Sequence, residues 1–490
     1  MRSSGILLPL SSLSSPHGIG CAGREAYRFV DFLKAAGQRY WQILPLGPTG
    51  YGDSPYQSFS AFAGSPYYID LDDLAERGLL TTAEIDAVDF GADPGRVDYG
   101  LLFENRFGLL KRAAGRMDPQ DPALTAFFAE NADWLEDYAL FMALKEERGQ
   151  VGFQRWPAAL CGRHPRALAA ARRRLADEIF FWKAAQYLFF DQWTKLKAYA
   201  NQKGIRIIGD LPIYVSPDSA DLWANGPLFQ LDARGRPSEV AGVPPDAFSD
   251  EGQLWGNPLY DWKAHKKQGY RWWLRRLAVA ASLYDLIRID HFRGVESYYA
   301  IPAGAKNAVH GRWQKGPGMD FVGAIRSQLP QLGIIAEDLG LLTPAVRRLL
   351  AASGFPGMKV LQFAFDPSGR SDYLPFRYPR NTVVYTGTHD NTTTEDWQRS
   401  ADPREVAFAR RYLDVPQGES VTPAMIRAAL GSVADTCIIP MQDYLALGKE
   451  GRINTPGTLG GNWTWRMLPG TVNRALAKQI RALTRLYGRI

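Results

Sequence analysis

Eight short apolar runs recur along the chain, each ending in polar or glycine-containing residues. They are Gly5–Leu10, Tyr40–Leu46, Ile205–Pro212, Leu286–Ile289, Leu332–Asp338, Met358–Phe363, Thr382–Gly387 and Thr436–Asp443. Continuous apolar runs of this length suit strands covered on both faces, as in a parallel sheet. Between the later runs, helical periodicity marks Tyr270–Ala281, Asp320–Gln328, Thr343–Ala352 and Pro403–Leu413. Strands alternating with helices imply βαβ units, and eight of them predict an α/β fold of the (β/α)8 TIM-barrel type.

The runs are unevenly spaced. A long stretch separates the second from the third, and residues 68–200 read as a mostly helical insertion on the barrel. Its helices are predicted over Thr82–Val88, Tyr99–Ala114, Asp121–Gly149 and Pro165–Gly204. Trp134, Leu135, Tyr138, Phe141 and Met142 recur at helical spacing, a pattern typical of core packing. Residues 211–262, rich in proline, glycine and aromatics, read as a loop-rich insertion that includes an active-site lid. One barrel over 1–490 with these two insertions accounts for the chain.

Charges interrupt the apolar pattern at one kind of place. The run Leu286-Ile-Arg-Ile-Asp-His-Phe-Arg-Gly294 carries Arg288 and Asp290 two residues apart, which on a strand is one face. A guanidinium so close should hold Asp290 ionised at neutral pH. That suits a nucleophile, and it equally suits a structural ion pair closing a strand. Asp210, Glu337 with Asp338, and Asp390 stand at the ends of other runs. In a TIM barrel those ends form one rim, where like charges are costly unless used. Two carboxylates with pKa values pushed apart are what glycosyl transfer needs. Asp290 is the candidate ionised partner. Glu337, after Ile334-Ile335-Ala336, is the candidate general acid and base, raised by desolvation and by the field of Asp290. His291 and His389 adjoin the strand-end acids and fit as hydrogen-bond donors to hydroxyls. Tyr51, Tyr56, Phe59, Phe248 and Trp255 fall in Gly/Pro-rich loops, where flat aromatic surfaces can grip sugar rings.

Composition removes several alternatives. Over 490 residues a net charge of +6 is slight, and Arg172-Arg-Arg174 and Lys263 with Lys266-Lys267 read as solvated helix faces, so no nucleic-acid partner is expected. No apolar run reaches membrane-spanning length, and the N-terminus lacks the long apolar region of a signal peptide. Three cysteines, Cys21, Cys161 and Cys437, form no CxxC spacing, and a reduced cytoplasmic protein is expected. With no HExxH, P-loop, GxGxxG or GxSxG motif, neither a metal nor an organic cofactor is expected.

Six stretches together closely resemble the amylomaltases, the disproportionating 4-α-glucanotransferases of the α-amylase-like barrels. They are Gly50-Tyr-Gly-Asp-Ser-Pro-Tyr-Gln-Ser58, Gly209-Asp-Leu-Pro-Ile-Tyr-Val215, Gly242-Val-Pro-Pro-Asp246 through Gly252-Gln-Leu-Trp-Gly-Asn-Pro258, Arg288–Gly294, Ala336-Glu-Asp-Leu-Gly340 and Thr386-Gly-Thr-His-Asp-Asn391. The likeness runs from Gly5 to Asn454-Thr-Pro-Gly-Thr458 and Gly461-Asn-Trp463. It implies Asp290 as nucleophile, Glu337 as acid/base and Asp390 as a third carboxylate gripping sugar hydroxyls. Arg288, His291 and His389 would line the subsite where the bond breaks. Asp210 matches a family position, and Ser54, Tyr56, Gln253, Trp255 and Asn462 match positions that contact glucan. The implied reaction moves α-1,4-glucan segments among maltooligosaccharides, with glucose as a further acceptor. Hydrolysis on the same barrel and non-catalytic glucan binding are the alternatives. Ala247, Thr392 and Cys21 depart from the family pattern, the first two at places that could alter chain-length preference or admit water.

Overall fold

The computed structural model describes residues 2–490 except 233, 246–249 and 341. Eight parallel strands form the centre: β1 (Ser3–Leu7), β2 (Tyr40–Gln42), β3 (Arg206–Leu211), β4 (Leu286–Ile289), β5 (Gly333–Ala336), β6 (Gly357–Val360), β7 (Thr382–Tyr385) and β8 (Thr436–Pro440). Hydrogen-bonded ladders run in the order β6-β7-β8-β1-β2-β3-β4-β5, so the strands follow one another around a (β/α)8 barrel. Each lies within one of the eight apolar runs or overlaps it.

Both faces of the sheet are buried. Leu7, Tyr40, Ile208, Ile335, Met358, Val383, Tyr385 and Ile438 fill the barrel interior, and Leu286 packs against them. Their neighbours Ile6, Trp41, Ile207 and Ile287 face the helical layer. This explains why the strands lack polar alternation. Helices Arg271–Leu283, Met319–Gln328, Pro344–Ser353 and Pro403–Tyr412 fall where periodicity puts them. Between β6 and β7 the described chain makes only 3-10 turns.

Two predicted helices are each broken. Asp121–Gly149 splits into Pro122–Glu130 and Ala132–Glu147 at Asn131 (φ −112°, ψ 10°), and Pro165–Gly204 splits at Leu175 (φ −109°, ψ 29°). Apolar periodicity runs through such corners because both halves bury one face against the same core. Trp134, Leu135, Tyr138, Phe141 and Met142 are buried there. The 27-residue helix Ala176–Gln202 leads back to β3, and its Trp193 donates to the Leu283 carbonyl at 2.8 Å.

The segment read as a loop holds regular structure. Glu239–Val243 and Gln253–Pro258 pair antiparallel, and with Ser297–Pro302 and Arg312–Lys315 they make a four-stranded sheet beside the barrel mouth. Gln253 and Trp255 therefore stand on a strand, not in a loop. Proline, glycine and a bulge between Val240 and Gly242 hide the period-2 pattern. Among the described residues no helix is long and apolar enough to cross a membrane.

Candidate active site

Period-2 alternation puts the strand-end charges over the barrel interior. Ile208 and Asp210, Leu286, Arg288 and Asp290, and Ile335 and Glu337 share that orientation with the interior cluster. Parallel register then sets their height. Asp210 pairs with Arg288 across β3 and β4, and Ile289 pairs with Ala336 across β4 and β5. Asp290 and Glu337 each follow that last pair by one residue, so they leave adjacent strands at the same level.

Arg288 is the electrostatic centre. Its Nη1 donates to both Asp210 oxygens at 2.7 and 2.6 Å and reaches Asp290 Oδ1 at 3.1 Å. Tyr56 donates to Asp210 Oδ2 at 2.7 Å, and its hydroxyl lies 2.8 Å from His389 Nε2. His389 in turn lies 3.3 Å from Asp390, whose Oδ1 accepts from Asn454 at 2.7 Å. One chain of contacts thus links Asp290 to Asp390 through Arg288, Asp210, Tyr56 and His389.

Electrostatics correct one expectation. Burial pushes Asp290 up to about 7; Arg288 opposes this, while Asp210, Glu337 and Asp390 add to it. Arg288, shared with Asp210, opposes the effect of burial without cancelling it. Burial also raises Glu337, against the opposing pull of Arg288 and of the backbone N–H groups of Leu339 and His291; Asp338 adds to the rise. Those N–H groups donate to Oε1 at 2.7 Å and Oε2 at 2.6 Å. Burial works against protonated His389, yet Asp390 outweighs it and raises its pKa. Burial would raise Asp390 too, but His389, Asn454 and Arg288 hold it well below the usual carboxylate range. Burial and Arg293 push His291 down to about 3, so it is a neutral imidazole.

His291 takes a left-handed backbone (φ 49°), uncommon for a residue with a side chain, and this turns its N–H toward Glu337. Its ring lies edge-on to Trp255, with centroids 4.8 Å apart, and among the described residues its Nε2 has no hydrogen-bond partner. Gln253 accepts from the Trp255 indole at 3.0 Å. Ser54 Oγ accepts from the Tyr56 backbone at 3.3 Å, supporting the turn that delivers Tyr56. Asn462 uses its amide within its own loop, bonding Thr455 and Thr458. Phe248 and Ala247 lie outside the described residues. Phe59 has the Lys145 ammonium 4.9 Å from its ring centre, and Tyr51 is 94% exposed. Thr392 bonds Asp396, and Cys21 lies buried against Asp70 at 3.4 Å.

Several supporting residues have no assigned role in the sequence reading. Asn454 holds Asp390. Gln57 and Asn257 exchange amide hydrogen bonds at 3.2 and 3.3 Å, tying the Tyr56 loop to the four-stranded sheet. Asp443, past β8, accepts from Thr386 Oγ1 at 2.5 Å and from Thr394 N and Oγ1 at 2.9 and 2.7 Å, bracketing the turn that carries His389 and Asp390. Asn454 and Gln57 stood inside recognised motifs; Asp443 was visible only as one more acid at a strand end.

The glycoside hydrolase family 77, described as 4-alpha-glucanotransferase, matches residues 8–471. The chain is 50% identical over 501 residues to a 4-alpha-glucanotransferase of Thermus thermophilus, covering 100% of this chain and 99% of that one. It is 48% identical over 495 residues to the Streptococcus pneumoniae 4-alpha-glucanotransferase, covering 100% and 98%. The amylomaltase of Streptococcus agalactiae, solved in complex with acarbose, superimposes with a TM-score of 0.97 at 42% identity over the full length of both chains. By sequence and by fold, the chain belongs to the 4-alpha-glucanotransferase family, glycoside hydrolase family 77.

Proposed function

We propose that this chain is a retaining 4-α-glucanotransferase that moves α-1,4-glucan segments between maltooligosaccharides. The observation that carries the mechanism is the level placement of Asp290 and Glu337 at the ends of β4 and β5. Neighbouring strands stand about 4.8 Å apart. A retaining pair needs carboxyl groups about 5–5.5 Å apart, and an inverting pair about 6.5–9.5 Å.

Asp290 attacks the anomeric carbon while Glu337 gives its proton to the departing glycosidic oxygen. A covalent glycosyl-enzyme forms, and the shortened glucan leaves. The 4-hydroxyl of an acceptor glucan, or of glucose, then enters. Glu337 takes its proton, and the bond to Asp290 breaks. Two inversions give retention. The two carboxylates titrate as a pair. Arg288, in direct contact with Asp290, favours its charged form, the form that attacks. Asp390 with His389, and His291 with Trp255, supply hydrogen-bonding groups and an aromatic wall for the sugar. Acarbose in the Streptococcus agalactiae amylomaltase supports an α-glucan ligand for this cleft. The chain works as one barrel, with 68–200 as a helical insertion and 211–262 carrying the lid. Its three free cysteines suit the reducing cytoplasm.

Full-length relatives named as transferases favour transfer over hydrolysis. Incubating the protein with maltotriose and resolving the products decides between them. A ladder of longer maltooligosaccharides plus glucose is expected. Conversion to shorter sugars alone would overturn the reading.

A further inference from the structure

Around the barrel, one junction differs from the other seven. Among the described residues no strand ladder joins β5 to β6, although the two strands are neighbours. Ala336 N donates to the Pro356 carbonyl at 2.9 Å, which is how a parallel ladder would begin. In a regular ladder the Met358 N–H would next donate to the main chain of β5. It donates instead to Oδ1 of Asp338, at 2.6 Å.

Asp338 immediately follows Glu337. On the β4 side the Glu337 main chain is already fixed, since its N–H donates to the Ile289 carbonyl at 3.1 Å and its carbonyl accepts from Phe292 at 3.0 Å. On the β6 side it is the Asp338 carboxylate that ties this stretch to the Met358 N–H. We propose that Asp338 is a positioning residue that closes the barrel between β5 and β6 and thereby fixes the backbone carrying the acid/base Glu337.

Gly357 supports this independently. A Cβ there would meet both Asp338 oxygens at 2.8 Å, closer than real side chains approach, so β6 opposite Asp338 admits glycine alone without displacement. Asp338 is 5% exposed, and a buried carboxylate is costly without such a use. Burial raises its pKa, while the Met358 N–H, Lys359 and Arg347 favour its charged form. The charged and titratable groups that face Glu337 are Arg288, Asp290, Arg293, Asp338 and Tyr373.

The inference rests on Glu337 being the acid/base, and its test separates the two. Full-length D338N, D338A, G357A and E337Q are assayed for maltotriose disproportionation across pH, with thermal melts on the same preparations. Asparagine keeps the accepting oxygen and drops the charge. D338N is therefore expected to keep kcat within about tenfold of the parent, the scale of one weakened hydrogen bond. Its basic limb should move to lower pH, since losing a negative neighbour eases deprotonation of Glu337. D338A and G357A are expected to lose kcat by about 10²-fold, the lower end of what general acid–base catalysis supplies, with a smaller change in KM. D338N falling as far as D338A would overturn the clamp. So would unchanged kcat in G357A, or D338A losing melting temperature alone. Near-normal turnover by E337Q would instead overturn the role of Glu337.

Discussion

Arg288 stands closer to Asp210 than to Asp290: Nη1 lies 2.6 Å from an Asp210 oxygen and 3.1 Å from Asp290. The guanidinium is thus divided between two carboxylates, and burial pushes Asp290 up to about 7 against its pull, with Asp210 adding to the rise. D210N removes a negative neighbour and leaves Arg288 to Asp290. Both effects favour ionised Asp290, so the acid limb of kcat/KM should move below about 7. A pH profile of kcat/KM checks this, and an unmoved limb would contradict the shared-cation account.

The same shift makes a statement about stability. Burial raises the folded-state pKa of Asp290 above the ordinary aspartate range, so its contribution to stability is fully present below about 4 and is lost as pH rises through about 7. D290N removes that loss. It should raise the melting temperature at pH 8, with little change at pH 4, while abolishing transfer. Melts at the two pH values read the difference.

E337Q keeps one acceptor oxygen for the Leu339 and His291 N–H groups, where Glu337 offers two, and cannot cycle a proton. Its kcat should fall by about 10²–10⁴, the range general acid–base catalysis supplies. Its fold, followed by circular dichroism, should match the parent.

His389 owes its raised pKa to Asp390. In D390N the imidazole loses that partner and keeps its burial, so its pKa should fall, as a histidine NMR titration would show. Maltooligosaccharide affinity should fall with it. If affinity holds, Asp390 does not grip the sugar.

Asp443 accepts three hydrogen bonds in a buried site. D443A strands their donors at about 1–3 kcal/mol each, so a loss of several kcal/mol is expected by denaturant unfolding. D443N, which keeps an acceptor oxygen, should lose much less. Equal losses would mean that the charge matters more than the bonds.

Legibility in the sequence followed the physics of each element. Strands buried on both faces announce themselves as apolar runs, which is why all eight could be read. Asp290 and Glu337 were readable because a charge that closes an apolar run is expensive and therefore conspicuous. The Ala132–Glu147 and Ala176–Gln202 boundaries were not, because apolar spacing continues across a corner. The four-stranded sheet escaped for a different reason: its strands contain Pro258, Gly242 and Gly256, and Glu239–Val243 finds a second partner far along the chain, with Gly242 opposite Tyr299 and Glu239 opposite Pro302.

By itself, the sequence determined the barrel, the order of its strands and which carboxylates stand at their ends, since these follow from local periodicity and the cost of burying charge. Tertiary structure alone decided how the charges are shared. Arg288 divides between Asp210 and Asp290, Asn454 reaches Asp390 from 64 residues away, and Asp338 completes the β5–β6 junction. Those facts depend on register and closure across strands distant in the chain, and no local pattern encodes them.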